Sequence, residues 1–272
     1  MYEKPAASAA SPAASGSCGT AAPLCADSIR EKSAIPAAAA WRPAGRTTPG
    51  SSQALNAPNR VLFDLDGTLT DSSPGILNSV VYALEKMGVT PPPREELFSF
   101  IGPPLKGSFQ RFFGFDDAQA LRAIGYYREY FSAGGLFENA VYPGIPEALE
   151  RLRGAGKRLC VATSKPEEFS LRIVEHFGLL PYFEAVCGAS MDASRTEKAQ
   201  VLRYALDRLG MEPEDCLMVG DREHDVLGAR EAAGIPCLGV LGGYGSREEL
   251  TSAGALALAE TPEAMADWIL KL

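Results

Sequence analysis

VLFDLDGTLTDSS, residues Val61–Ser73, runs three apolar residues into Asp64 and Asp66, then Gly67-Thr68, then a third acid, Asp71. Val61–Leu65 reads as a short strand. Residues two apart on a strand point the same way, so Asp64 and Asp66 would share one side. In a parallel sheet, the C-terminal end of a strand opens onto the crevice where α/β proteins bind ligands. Two neighbouring carboxylates there need a shared proton or a cation. Further acids, Asp221 and Asp225, would join Asp64, Asp66 and Asp71 in an all-oxygen set suited to Mg²⁺. Gly67 and Thr68 allow a sharp turn that presents backbone N–H groups to an anion. A calcium loop is excluded, because counting from Asp64 puts Leu69 at position 6 and Gly75 at position 12, where Gly and Glu are needed. An Asp-rich solvated turn is the bland alternative, and the apolar strand just before it argues against that.

Outward from this stretch the chain alternates strands and helices. Pro74–Met87 has Ile76, Val80, Leu84 and Met87 on one helical face, with Gly88 as a stop. Strands are expected at Leu159–Thr163, Ala185–Gly188, Cys216–Val219 and Cys237–Val240. Helices are expected between them, at Ile145–Arg153, Glu167–Phe177, Glu197–Leu209 and Asp225–Ala233. Such alternation indicates βαβ units and a Rossmann-like α/β core with a parallel sheet. Between about Asn78 and Tyr142 no strand is evident. REELFSFIG, PLKGSFQRFFG and DAQALRAIGYYREYFSAG read as helices punctuated by Gly and Pro. The expected organisation is a core over 59–77 and 143–272 with an inserted small helical cap over 78–142. Residues 1–58, rich in Ala, Ser, Pro and Gly with no apolar period, are expected to form a disordered tail. They lack the apolar core of a secretory signal.

Three other segments place chemistry at strand ends. GDREHD, Gly220–Asp225, follows an apolar strand; its Asp225 would otherwise serve as a first-turn cap. VATSK, Val161–Lys165, puts the hydroxyls of Thr163 and Ser164 before a helix, where free N–H groups form an anion site. Lys198, in SRTEKAQVLRYAL, is a candidate local cation, or else a solvated helix charge.

Composition narrows the classes. Residues 1–58 carry a net charge of +2, leaving −10 on the remainder of a chain whose net charge is −8. That acidic body argues against nucleic-acid polymers and anionic membrane surfaces as partners. No run of 18 apolar residues exists, so no membrane-spanning helix is expected. The six cysteines include no CxxC pair; Cys160, Cys187, Cys216 and Cys237 sit in apolar segments, as buried free thiols of a reducing cytoplasm do. There is no GxSxG, Walker A or GxGxxG motif, and His176 and His224 are the only histidines. His176, near a helix C-terminus, reads as a capping residue.

The order strand–DxDGT, strand–TS, Lys, strand–GDxxxD, together with the helical insert, resembles the haloacid dehalogenase (HAD) superfamily of phosphohydrolases with a C1-type cap. The resemblance covers about 60–272. It implies that Asp64 is the nucleophile forming an aspartyl-phosphate, and that Asp66 is the general acid/base. It implies that Thr163 and Ser164 meet the phosphoryl group beside Gly67 and Thr68, and that Lys198 neutralises its charge. Mg²⁺ would be held by Asp64, the Asp66 backbone carbonyl and Asp221, with Asp225 in support. Dehalogenases lack the aspartate at the Asp66 position, and P-type ATPases carry Lys and Thr at the positions of Leu65 and Asp66, so both branches are excluded. PGILNSVVYALEKMG, FIGPPL, YPGIPEALE, ATSKPE and GDREHDVLGA resemble the phosphoglycolate phosphatase and 5′-nucleotidase-like branch. The expected activity is Mg²⁺-dependent hydrolysis of a small phosphate ester, phosphoglycolate or a nucleoside 5′-monophosphate, in the cytoplasm. The alternatives are a phosphotransferase (a sugar-phosphate mutase or a protein tyrosine kinase-like member) and a non-catalytic partner-binding module. Lys106, Arg111 and Arg128 of the insert are candidates for reading the substrate or are plain surface charges.

Overall fold

A computed structural model describes residues 58–272. The expected tail therefore lies outside the described residues except for Pro58, as do Cys18 and Cys25. In chain order the strands are β1 (Arg60–Phe63), β2 (Thr70–Asp71), β3 (Ala140–Val141), β4 (Arg158–Pro166), β5 (Ala185–Ala189), β6 (Cys216–Gly220), β7 (Cys237–Val240) and β8 (Ala257–Ala259). The helices are α1 (Ser73–Lys86), α2 (Arg94–Leu97), α3 (Leu105–Phe113), α4 (Asp117–Ala133), α5 (Ile145–Gly154), α6 (Glu167–His176), α7 (Lys198–Leu209), α8 (Glu223–Ala233), α9 (Arg247–Ala253) and α10 (Pro262–Leu270).

Six strands form one parallel sheet in the order β5-β4-β1-β6-β7-β8. The order starts at β1 in the centre and steps to β4 on one side and β6 on the other. The crevice at that switch point receives the carboxyl ends of three neighbouring strands. Both faces are covered, which is why the strands are continuously apolar rather than alternating. Val61 and Phe63 pack into the cluster holding Leu149, Ile173 and Met265, from α5, α6 and α10. Leu62 faces the other way, with Leu202 of α7, Val226 of α8 and Leu250 of α9.

The insert rises from a hairpin base: β2 pairs antiparallel with β3, Thr70 opposite Val141 and Asp71 opposite Ala140. β3 corrects the expectation that no strand occurs between about Asn78 and Tyr142. Two residues are too short to carry a period, so the pair is invisible in the sequence. α4 starts from a reciprocal capping box, Asp116 with Gln119, and α3 stops at Gly114 with φ of 65°. α1, cut by the expected boundary at 77/78, is one helix packed along α4. Its buried side chains Ile76, Leu77, Val80 and Leu84 continue the same cluster into Phe109, Ala123 and Phe131. Of REELFSFIG only Arg94–Leu97 is α-helical; a single 3₁₀ turn follows and Ile101 is extended. β8 and its flanking helices α9 and α10 extend the alternation to the C-terminus, beyond the elements expected from the pattern. Among the described residues, no helix is long and apolar enough to cross a membrane. Cys160, Cys187, Cys216 and Cys237 are free and buried, as expected.

Candidate active site

β1 ends at Phe63, one residue before Asp64, so the side-by-side placement of Asp64 and Asp66 does not come from strand pleating as expected. Asp64 still lies alongside β6, its N–H donating to Val219 O at 2.9 Å. The chain then folds into a tight turn in which the N–H groups of Thr68, Leu69 and Thr70 all donate to Leu65 O, and that of Gly67 to Thr70 O. Gly67 has φ of 82°, and a Cβ there would stand 2.3 Å from Asp221 Oδ2, so only glycine fits.

That turn corrects one expectation. The Gly67 and Thr68 N–H groups are spent inside the turn, and both residues line a separate cavity behind it, with Tyr142 and Pro262. The Thr68 hydroxyl donates instead to Asp221 Oδ1 at 3.3 Å. The N–H groups of Leu65 and Asp66, two residues earlier, donate to no backbone carbonyl among the described residues.

Asp64, Asp66, Thr163, Ser164, Lys198 and Asp225 line one cavity of about 170 Å³ between the sheet edge and the insert. The Lys198 ammonium opens α7 and is 6% exposed rather than solvated. It reaches Asp64 Oδ1 and Asp225 Oδ1 at 2.7 Å each and donates to Ala162 O at 3.0 Å. Burial works against its charge, but Asp225 and Asp64 outweigh that and hold it above the usual lysine range. Asp225 takes the capping role foreseen for it and adds one that was not foreseen. Its Oδ2 caps α8 by accepting from Arg222 N–H at 3.1 Å, while its Oδ1 fixes Lys198.

Asp64, Asp221 and Asp225 each present an oxygen within 4.8 Å of the others, all buried. One ammonium cannot balance three carboxylates. Burial pushes the Asp64 carboxyl up, Lys198 pulls it down, and Asp225 and Asp66 push it up again, leaving it at about 6. Asp221, wholly buried, is held well above the usual carboxylate range by burial and then by Asp225 and Asp64. A hard divalent cation is what such an uncompensated oxygen cluster fits. Asp71 does not join it: it accepts from Ser73 N–H at 3.0 Å and from the Tyr244 hydroxyl at 2.9 Å, at the base of the hairpin.

The sequence reading passed over two residues that the structure brings in. Lys165, adjacent to the Thr163-Ser164 pair, sends its ammonium to Asp66 Oδ2 at 2.7 Å. Tyr244, in the loop after β7, donates its backbone N–H to Asp221 Oδ2 at 2.8 Å. Lys165 was readable from TSK as a third polar residue at a strand end; Tyr244 sits in LGGYGS, which carries no comparable signal. Of the candidate insert cations, Lys106 and Arg128 line the cavity, while Arg111 lies over the Phe112 ring and is not among the lining residues. His176 is the last residue of α6, at the helix C-terminus where it was expected, and its ring stacks on Phe137 of the insert with centroids 4.2 Å apart.

Residues 61–240 match the family model described as haloacid dehalogenase-like hydrolase, and the chain belongs to that family. Over 197 residues it is 49% identical to a 5′-nucleotidase of Pseudomonas aeruginosa, covering 72% of this chain and 88% of that protein. It is 45% identical over 199 residues to the tyrosine-protein kinase PtkA of Mycobacterium tuberculosis, covering 73% of this chain and 66% of that one. A phosphoglycolate phosphatase of Rhodospirillum rubrum is 33% identical over 221 residues, 78% of this chain and 91% of that protein. Among solved structures, a predicted phosphatase from Clostridium acetobutylicum superposes with a TM-score of 0.77 at 47% identity, covering 80% of this chain and 100% of that one.

Proposed function

We propose that this protein is a Mg²⁺-dependent phosphoric monoester hydrolase working through an aspartyl-phosphate on Asp64. The observation that carries the reading is the convergence of Asp64, Asp66, Thr163, Lys198 and Asp225 on one cavity wall, with Asp221 in the same buried carboxylate cluster.

Asp64 attacks phosphorus, forming an Oδ–P bond as the bond from phosphorus to the ester oxygen breaks. Asp66 gives a proton to that departing oxygen. In the second half, water attacks the same phosphorus and surrenders a proton to Asp66, and the Oδ–P bond breaks to restore Asp64. Lys198 holds Asp64 in its attacking position and spreads the charge that the phosphoryl group brings. Thr163, 1% exposed, offers its hydroxyl to a phosphoryl oxygen, with Ser164 next to it. The Leu65 and Asp66 N–H groups, which donate to no backbone carbonyl among the described residues, are further candidate donors to the phosphoryl oxygens. Asp64, the Asp66 carbonyl and Asp221 would hold Mg²⁺, which when bound would supply positive charge that lets nucleophile and phosphate approach. Asp225 supports that site through Lys198.

The helices between β2 and β3 act as a cap that excludes water while the aspartyl-phosphate forms. The rings of Phe100, Tyr127 and Phe131 face the cavity from that side, and a nucleobase suits such a wall better than glycolate does. With the 49% identity to a 5′-nucleotidase, this favours a nucleoside 5′-monophosphate as substrate, with phosphoglycolate second.

The 45% identity to a protein named tyrosine kinase supports a second reading, in which a tyrosine hydroxyl replaces water as acceptor in the second half. One panel separates them. Phosphate release from nucleoside monophosphates, phosphoglycolate and sugar phosphates is measured with Mg²⁺ and with EDTA, for the parent and Asp64→Asn. Release that needs both Mg²⁺ and Asp64 supports hydrolysis. Silence across the panel, with label appearing on protein tyrosine, moves the assignment to phosphotransfer.

A further inference from the structure

Among the described residues, the Asp66 carboxylate has one polar side-chain partner. Its Oδ2 receives the Lys165 ammonium at 2.7 Å, and its Oδ1 is buried with no partner. Among the described residues no other hydrogen bond or ion pair fixes where this carboxylate stands. A group that must both deliver and collect a proton depends on position first.

Lys165 is itself aimed by the backbone. β4 pairs regularly with β5 as far as Thr163 opposite Gly188; the register then shifts, and Pro166 comes opposite Ala189. An irregularity of this kind bends a strand and redirects a side chain, and such features gather next to active sites. Here the Lys165 N–H donates to Thr163 Oγ1 at 3.2 Å, and the Lys165 carbonyl accepts from Ser170 Oγ at 3.4 Å, tying the residue to α6. The side chain is 8% exposed and its ammonium lies 4.9 Å from the centre of the Phe131 ring, on α4 of the insert. A desolvated ammonium over an aromatic face is attracted to it. Phe131 packs in turn edge-on against Phe169 of α6, centroids 5.4 Å apart. So the contact that orients Asp66 is roofed by the cap.

We propose that Lys165 is a positioning residue for departure of the ester oxygen. It sets the place of the Asp66 carboxylate, and closure of α4 over the pair, through Phe131, completes the arrangement. This rests on the reading of Asp66 as the general acid/base. A lysine with a merely structural role would affect all esters alike. One acting through Asp66 matters only where the leaving oxygen needs a proton. Nitrophenolate departs without one; an alkoxide does not.

The test is kcat/KM, which reports the first phosphoryl transfer, for p-nitrophenyl phosphate and for an alkyl phosphate such as glycerol phosphate. It is measured in the parent, Lys165→Met, Lys165→Arg, Asp66→Asn and the Lys165→Met/Asp66→Asn double variant. Removing a general acid costs on the order of a hundredfold or more. The expected result is that Lys165→Met loses about a hundredfold on the alkyl ester and less than about tenfold on the aryl ester, following the Asp66→Asn pattern. Lys165→Arg recovers part of the alkyl-ester rate, and the double variant is no worse than Asp66→Asn. Activity on the aryl ester certifies that each variant is folded. Equal losses on both esters in Lys165→Met, or further loss in the double variant, overturn the proposal while Asp66→Asn remains leaving-group dependent. If Asp66→Asn itself shows no such dependence, the acid/base reading fails and takes this proposal with it.

Discussion

Lys198 and Asp225 meet at 2.7 Å in the interior, the ammonium 5% and the carboxylate 2% exposed. The same ammonium touches Asp64 at 2.7 Å, so Lys198 bridges Asp225 to the proposed nucleophile. Removing Asp225 takes one of two carboxylates from this buried ammonium, which keeps Asp64, and takes the cap from α8. Asp225→Ala is expected to lower stability by about 3 kcal/mol and to cut kcat steeply, whereas Asp225→Asn, which keeps the cap to Arg222 N–H, loses less of both. Urea unfolding and steady-state kinetics on the two variants check this; equal effects would mean that the charge, lost in both, is what Asp225 contributes and that the cap adds nothing.

Asp64 ties activity against stability. With its carboxyl raised from 3.8 to about 6, the folded metal-free protein binds a proton that the unfolded chain has already released. Stability of the metal-free protein therefore falls as pH rises from about 4 to about 6, and the penalty persists above that. Asp64→Asn removes it. At pH 8 without metal the variant should be inactive yet more stable than the parent, by about 3 kcal/mol, with the gap closing near pH 4. Saturating Mg²⁺ should raise the melting temperature of the parent more than that of the variant. A variant less stable than the parent at pH 8 would refute the penalty.

α7 and α8 touch where Gly228 lies against Lys198. A Cβ at Gly228 would stand 2.6 Å from Lys198 Cβ and 3.2 Å from the Ala199 backbone nitrogen. Gly228→Ala improves helix propensity by under about 1 kcal/mol, but forcing the helices apart costs about 1–3 kcal/mol and displaces the ammonium. The variant should be less stable and slower in kcat. Unchanged thermal unfolding would show that the two helices yield there without cost.

Arg222 bridges the insert and the core. Its Nη1 donates to Ile101 O at 2.8 Å, in the FIG segment, and its Nε to Glu249 at 2.8 Å on α9. Arg222→Ala should raise KM with a smaller change in kcat, and should make the 97–105 segment more accessible to proteases. A kcat effect without a KM effect would place Arg222 in the chemistry instead.

The parallel sheet was legible because buried parallel strands read as continuous apolar runs: Cys237–Val240 begins and ends where the pattern put it. The site aspartates and Lys198 were legible through the order of the motifs. What escaped depended on contacts without local period. β2 and β3 are two residues each, paired across about seventy residues of chain. The fate of the Gly67 and Thr68 N–H groups is decided by how the turn closes on Leu65 O, which composition does not encode. Lys165 stands in TSK at a strand end, but its contact with Asp66 depends on a register shift in β4 that the sequence does not encode.

The central claim is a phosphoryl group carried by Asp64, and acid quenching during turnover tests it most directly. Protein held with excess substrate and Mg²⁺ is quenched and digested, and the peptide containing Asp64 is compared by mass spectrometry with the same peptide from Asp64→Asn. The account predicts one acid-stable, hydroxylamine-labile phosphoryl group on the parent peptide and none on the variant. Turnover with no label on that peptide, or label that survives Asp64→Asn, would contradict it.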